Sequence, residues 1–401
     1  MSWEKHKLSE LCFSISDGDH QPPPKVEQGI PFVTIANITS TNKFDFSNTM
    51  FVPQEYYNSL DNKRKAKKGD ILYSVVGSFG TPVYMNEDIP FVFQRHIAIL
   101  RPNENIVPRF LYYTMMSRDF YMMADAAAIG AAQRTVSLTS LRNMEISVPP
   151  LETQHRIASI LSAYDDLIEN NQKQIKLLEE AAQRLYKEWF VDLHFPGYEN
   201  VKVVDGVPEG WEECTLDRVI EFNPKVSLNK ERTKQFVPMS ALSTSSMVLN
   251  SNEFTKTQSN SGSKFKNGDT LLARITPCLE NGKTGFVSDI LSDEGAVGST
   301  EFIVMRSKSI NCYMVYLLAR TDDFRQIAIN SMTGSDGRQR AQVDKIKMYQ
   351  YTLPTQEIIN AFETIVKPLF DNIIIKNKAI RKLTEARDRL LPKLMSGELE
   401  V

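Results

Sequence analysis

The sequence predicts an α+β protein: two mixed α/β modules in pseudo-two-fold repeat, separated by two long antiparallel helices that form a coiled-coil spacer. Three observations predict it. Residues 149–190 and 354–395 repeat without a gap at an offset of 205, about half of the 401-residue chain. The matched pairs include Pro149/Pro354, Asp166/Asp371, Ile175/Ile380, Leu178/Leu383, Glu180/Glu385, Ala181/Ala386, Arg184/Arg389 and Leu185/Leu390. Both copies place apolar residues at alternating spacings of three and four, the pattern of a coiled-coil seam. The segments before them hold short β-type runs separated by Gly, Pro, Asn and Asp. A self-repeat fixes architecture ahead of any single residue.

In the first helix one seam position is Ile157, Tyr164, Asn171, Leu178 and Leu185; the other is Leu161, Ile168, Ile175, Ala182 and Trp189. The second copy gives Phe362, Leu369, Lys376, Leu383 and Leu390, with Val366, Ile373, Ile380, Arg387 and Leu394. Asn171 and Lys376 interrupt the two seams at the same place, and a buried polar seam residue commonly sets register at some cost in stability. Pro368 is expected to break or kink the second helix after its first turns. The alternative is two separate core helices of two separate domains.

The expected division is residues 1–148, a first module; 149–195, the first helix; 196–210, a linker; 211–353, a second module; and 354–401, the second helix with a tail. Each module opens near a Trp, Trp3 and Trp211. Each has a Gly-Asp before an apolar strand, Gly69-Asp70 and Gly268-Asp269. Each then shows a helical stretch, Phe110–Met123 and Tyr313–Ile329, with a shared Asp-Phe, Asp119-Phe120 and Asp323-Phe324. Each ends with a Gly loop and a Gln-Arg, Gly130…Gln133-Arg134 and Gly334…Gln339-Arg340. Strands are expected at Pro31–Ile35 and Glu301–Met305. Elsewhere the modules share little sequence.

Lys plus Arg is 47 and Asp plus Glu is 49, a net charge of −2, which argues against a strongly basic nucleic-acid coat. Patches matter more than the sum, so specific DNA binding is not excluded. Cys12, Cys214, Cys278 and Cys312 lack metal spacing and are expected to stay reduced in a cytosol. Met1-Ser2-Trp3-Glu4-Lys5 lacks the apolar core of a signal peptide. No apolar run approaches the ~20 residues needed to span a bilayer. A soluble, cytoplasmic protein is expected.

Four stretches resemble the DNA-specificity subunit of Type I restriction–modification enzymes. They are Pro149-Pro150-Leu151-Glu152-Thr153-Gln154 entering the first helix and Glu188-Trp189-Phe190-Val191-Asp192 ending it. The others are Val203-Val204-Asp205-Gly206-Val207-Pro208-Glu209-Gly210-Trp211 and Leu394-Met395-Ser396-Gly397-Glu398-Leu399. The resemblance covers essentially the whole chain. It implies two target-recognition domains, each reading half of a bipartite double-stranded DNA target. The helices would set the interval and dock two methyltransferase subunits, with restriction subunits further out. The subunit itself would be non-catalytic, and S-adenosylmethionine would bind the methyltransferase partner.

A search for chemistry agrees with that. Gly282-Lys283-Thr284 ends like a phosphate-binding loop, but position 277 is Pro277 and a strand-like run follows, so no helix N-terminus cradles a phosphate. Asn223-Pro224-Lys225-Val226 lacks the second proline and the aromatic that hold a flipped base. The five histidines have no ligand spacing, and no metal site is expected.

Candidate DNA contacts sit on loops. Lys63, Arg64, Lys65, Lys67 and Lys68 form a basic run suited to phosphates; the alternative is a solvated loop. Arg338, Gln339 and Arg340, with Gln133 and Arg134, lie in glycine loops, where Arg can grip guanine and Gln adenine. The alternative is that the Gln-Arg pair is shared scaffold. His20, Gln21 and Lys25 stand on a rigid polar loop, Ser16 to Lys25, loosely matched by Lys225, Lys230, Arg232 and Lys234. Ser78 and Arg274 follow the Gly-Asp strands. A rival reading is a coiled-coil scaffold whose modules bind proteins or glycans, which the near-neutral charge favours.

Overall fold

A computed structural model describes residues 3–21, 23–39, 41–131, 133–290, 292, 294–335 and 337–401. Met1, Ser2, Pro22, Ala132 and Asp336, named or spanned above, lie outside the described residues. The chain folds into two compact units, residues 1–168 with 382–401, and residues 169–381.

The first unit holds strands β1 (Glu4–Lys7), β2 (Cys12–Asp17), β3 (Ile30–Val33), β4 (Met50–Val52), β5 (Ile71–Ser74), β6 (Pro82–Tyr84), β7 (Val92–Phe93), β8 (Ile97–Pro102) and β9 (Glu145–Val148). Its helices are α1 (Leu8–Leu11), α2 (Gln54–Ser59), α3 (Pro108–Met116), α4 (Arg118–Ala127), α5 (Leu138–Asn143) and the first part of α6 (Leu151–Phe190). An antiparallel sheet runs β2-β8-β5-β6, a second sheet β4-β3-β7, and β1 pairs with β9.

The second unit begins with a hairpin of β10 (Val203–Val204) and β11 (Val207–Pro208). Then come β12 (Glu212–Thr215), β13 (Ile220–Phe222), β14 (Lys234–Val237), β15 (Thr255–Thr257), β16 (Ser263–Phe265), β17 (Thr270–Ala273), β18 (Thr284–Phe286), β19 (Ala296–Gly298), β20 (Phe302–Ser307) and β21 (Gln350–Leu353). Its helices are α7 (Leu216–Val219), α8 (Cys312–Ala319), α9 (Asp322–Asn330), α10 (Val343–Lys347) and most of α11 (Gln356–Met395). The sheet order β13-β20-β17-β18 repeats that of the first unit, as does the pair β12-β21. The other sheet, β15-β14-β19-β16, matches β4-β3-β7 down to the parallel β14–β19 pairing and adds β16 at its edge.

Each expected helical stretch is in fact two helices. Ser117 ends α3, and its hydroxyl accepts from Phe120 N at 3.2 Å to cap α4. Thr321 caps α9 in the same way, accepting from Phe324 N at 3.3 Å. The shared Asp-Phe is thereby explained. The Asp stands in the first turn, where the helix dipole favours negative charge, and the Phe is fully buried.

α6 and α11 are each 40 residues long, about 60 Å at 1.5 Å per residue. In the first unit, Ile157 and Leu161 of α6 share a core with Leu391 and Leu394 of α11. There Arg387 donates to Asp165 at 2.7 Å and Tyr113 Oη donates to the same carboxylate at 2.6 Å. In the second unit, Tyr186, Trp189 and Phe190 surround Phe362, with ring centroids 6.2, 5.6 and 4.8 Å away. In both cores the beginning of one helix meets the end of the other.

The seam is largely realised. Ile157, Leu161, Ile168, Ile175, Phe362, Val366 and Ile373 are buried. Tyr164, Asn171, Leu178, Leu185, Leu369, Lys376, Ile380, Leu383 and Leu390 are half-buried. Phe370 and Leu391 are buried in preference to their neighbours Leu369 and Leu390, because a straight helix drifts off a strict seven-residue repeat. Pro368 does not break α11, which continues through it. Pro368 is exposed, so its missing N–H falls on a face where water can satisfy the Thr364 carbonyl.

Candidate nucleic-acid interface

Each unit carries one buried latch. In the first, Arg101 donates Nε to Asp70 Oδ1 at 3.0 Å and Nη2 to Oδ2 at 2.7 Å. In the second, Arg306 makes the same fork to Asp269, at 2.7 Å twice. Both aspartates are nearly inaccessible, and paired N–H···O⁻ bonds of this geometry are the strong kind. The bonds to aspartate hold both arginines above their ordinary pKa.

In the first unit this latch positions the basic run. Arg101 also donates to the Lys65 carbonyl at 2.8 Å and the Asn62 carbonyl at 3.3 Å. Lys67 N donates to Asp70 and Lys68 N to Asp88, at 2.8 and 2.7 Å. Asp61 caps the turn by accepting from Lys63 N at 2.8 Å. With the backbone fixed, Lys63, Lys67 and Lys68 project into solvent. Lys65 turns inward; its ammonium donates to the Asn58 carbonyl at 2.9 Å and lies 5.3 Å from the Tyr57 ring centre.

Arg64 stands 3.9 Å from Asp17, and His20 Nε2 lies 2.7 Å from the same carboxylate. Gln21 N donates to Asp19 at 3.2 Å, and Tyr56 Oη donates to Asp19. Burial, then the Asp19 bond, push the Tyr56 phenol up to about 12. The two loops predicted separately thus meet around two carboxylates that sequence reasoning passed over. Lys25 is exposed.

A second group forms beyond β5. The Arg134 guanidinium lies 5.6 Å from the Phe79 ring centre and pairs with Asp125 of α4. Phe79 stacks on exposed Tyr121, centroids 5.9 Å apart and planes at 13°. Ser78 and Gln133 are exposed alongside. Gly130, at φ +99°, allows the turn: a Cβ there would stand 2.7 Å from the Gln133 carbonyl.

The two Gln-Arg pairs are not equivalent. Thr135 bridges Val76 and Ile129 in the first unit, and Arg340 bridges Ile275 and Thr333 in the second. Arg340 therefore holds the place of Thr135, one residue out of step with Arg134. Its guanidinium forks onto Glu301, with Nε–O at 3.0 Å and Nη2–O at 2.8 Å, and this bond holds the Glu301 carboxyl below its ordinary range. Each arginine pairs with a carboxylate of its own unit, Arg134 with Asp125 and Arg340 with Glu301. Arg338 is exposed and Gln339 half-buried.

Of the second-unit cations, Lys234 is corrected: it is buried, and its ammonium donates to the Arg232 and Gln258 carbonyls at 2.7 and 3.1 Å. It ties the loop at Arg232 to the strand end at Gln258. Arg232 pairs with Glu294 at 3.1 Å, and Lys230 is exposed. Lys225 and Arg274 line one cleft of about 380 Å³ together with Lys264, which carried no signal beyond a lone charge in a strand. The phosphate-loop resemblance is disposed of, since Thr284 begins β18.

No cluster of metal-ligating side chains occurs among the described residues, and no described helix is long and apolar enough to cross a membrane. The four cysteines are free.

Two units sharing one strand order, with unlike loops over a common latch, define a class: internally duplicated α+β proteins in which each unit packs on parts of two long helices. Residues 2–180 match the model of the Type I restriction modification DNA specificity domain. The MjaIX specificity subunit of Methanocaldococcus jannaschii is 28% identical over 312 residues, 75% of this chain and 71% of that protein. The HindI specificity subunit of Haemophilus influenzae is 24% identical over 473 residues, covering 99% of each chain. The S subunit of a type I restriction–modification system from M. genitalium has the same fold, with TM-score 0.58 and 16% identity over 98% of this chain and 96% of that one. Residues 2–180 therefore match that domain, and along its whole length the chain is similar to type I restriction–modification specificity subunits. The scaffold reading finds no support among these relatives.

Proposed function

We propose that this chain is the non-catalytic, sequence-reading subunit of a cytoplasmic type I restriction–modification enzyme. Each module enters a major groove and reads one half of a bipartite duplex target. α6 and α11 set the interval between the halves. Exposed apolar side chains on the helices, among them Leu151 and Leu167 in the first unit and Leu177 and Ile375 in the second, offer surface for methyltransferase subunits. Those subunits would carry S-adenosylmethionine, and restriction subunits would join them. In the first module Lys63, Lys67 and Lys68 position the protein on phosphates, while exposed Ser78 and Gln133 are among the side chains that meet base edges.

The observation that carries this reading is the repeated latch beneath unlike loops. A shared frame presents corresponding strands in both units, β16 apart, and the loops upon it differ enough to distinguish two half-sites. Replacing residues 1–148 by the same region of a relative, followed by methylation mapping in the host, should change one half-site and leave the other intact. A change in both halves at once would show that the modules do not read independently.

A further inference from the structure

We propose that the cleft lined by Lys225, Lys264 and Arg274 seats one phosphodiester of the DNA backbone. This rests on the DNA-reading function above and assigns to the second module a contact that the first does not possess.

The cleft is built. Asn223 adopts a left-handed φ of 52°, a conformation that Asn tolerates better than most residues. It is held there by a two-way clasp. Its N–H donates to the Val304 carbonyl at 2.7 Å, and its side-chain oxygen accepts from Val304 N at 3.0 Å. The clasp sends Pro224 and Lys225 off the end of β13. Arg274 is pinned by its backbone on both sides: its N–H donates to the Glu301 carbonyl at 2.9 Å and its carbonyl accepts from Ala341 N at 2.8 Å. Lys264 is placed by β16, pairing across from Val297. Ser263 and Thr300 add hydroxyls to the rim.

Charge and hydrogen bonding point to an anion. Three cations line the cleft, and no Asp or Glu does so among the described residues. The nearby Glu301 carboxylate is already forked by Arg340. Arg274 Nε is buried and has no hydrogen-bond partner among the described residues, a state that is costly unless a ligand completes it. A concave site with several N–H donors and no acid among its described lining residues suits a phosphate oxygen, and its volume of about 380 Å³ admits a phosphate group with its flanking sugar atoms.

Among the described residues the first unit has no counterpart of this site. Val75 occupies in the first unit the place of Arg274, since Val75 N donates to the His96 carbonyl and Val136 N to the Val75 carbonyl in the same pattern. Val75 is buried. The sheet β4-β3-β7 has no strand corresponding to β16, hence no Lys264.

The test uses the full chain, alone and co-purified with its methyltransferase partner, and a fluorescein-labelled duplex of mixed sequence. Binding is followed by anisotropy from about 50 to 200 mM KCl. Arg274→Gln and Lys264→Gln should each weaken binding roughly three- to tenfold, equally for every duplex sequence, and each should lower the salt slope by about one. Lys345→Gln, on α10, should leave both unchanged. Circular dichroism melts confirm folding, and Lys225→Gln serves as a further variant should either of the others fail to fold.

An unchanged slope in variants of a chain that does bind DNA would overturn the phosphate seat and leave the DNA-reading function standing. Weakening confined to one sequence would overturn it in favour of a base contact. If inorganic phosphate stabilises the parent chain but not the variants while the DNA slope stays fixed, the cleft holds a free anion and the assignment to DNA is wrong. If the parent chain binds no duplex in either form, the function itself fails and the seat with it.

Discussion

Deleting the carboxylate of Asp269 should destabilise the second unit and leave the first untouched. Asp269 is 1% exposed and accepts from Arg306 twice at 2.7 Å and from Lys266 N at 2.8 Å. Asp269→Ala strands a guanidinium whose side chain is 26% exposed, together with a backbone donor. Removing one member of a buried pair costs about 3–5 kcal/mol. Because water reaches part of Arg306, the low end applies, about 3 kcal/mol, which raises the open population roughly a hundredfold. Hydrogen-exchange mass spectrometry reads this locally. Amides of β17 and β20 should exchange roughly a hundredfold faster, while those of β5 and β8 keep their parent rates. Combining Asp269→Leu with Arg306→Met replaces the pair by apolar groups and should recover most of the loss. The reasoning is refuted if exchange in β17 and β20 rises less than about threefold, or if the double variant is as labile as the single one.

Ser117→Ala and Thr321→Ala should each cost about 1 kcal/mol in denaturant unfolding followed by far-ultraviolet dichroism. Because the two caps sit in different units, their effects should add. Glu179 of α6 is buried; its carboxylate accepts from Met247 N and Ser246 Oγ, each at 2.8 Å. Burial raises its pKa against those bonds. A folded-state value above the unfolded one means that the contribution of Glu179 to stability is fullest below the ordinary carboxylate range and is lost as pH rises through the raised value. Glu179→Gln should abolish that fall, so thermal melts of variant and parent agree in acid and the variant melts higher at neutral pH. A difference between variant and parent melts that stays constant across this range would contradict the assignment.

The long helices were legible because a seam of large apolar side chains is a one-dimensional signal, and Ile157, Leu161, Phe362 and Val366 stand in the core as spacing alone required. The strand frame was legible at the Gly-Asp turns and in the apolar runs that became β3 and β20, but its repeat was not. Its repeat is one of backbone pairing, which many side chains satisfy, so β3 and β14 hold the same place in their sheets with little sequence in common. The Gln-Arg pairs show the reverse failure. Two like dipeptides, one residue out of register, drew attention to a match that the backbone does not make. Lys234 misled for a related reason: a lysine reads as surface charge unless the carbonyls that satisfy its ammonium are known, and these come from residues as far away as Gln258. The Asp17 and Asp19 carboxylates, which gather His20, Arg64 and Tyr56, also lie beyond sequence reasoning, because their partners are brought in from other loops.

The division of each long helix between two hydrophobic cores has a consequence for synthesis. Leu391 and Leu394, which close the core of the first unit, emerge only after the whole of residues 169–381 has been made. The nascent N-terminal part must therefore wait, with the side of its core that Leu391 and Leu394 cover left open, while an entire second body is translated and begins to fold. Such a chain is exposed to chaperones and to self-association for longer than one whose domains finish in turn.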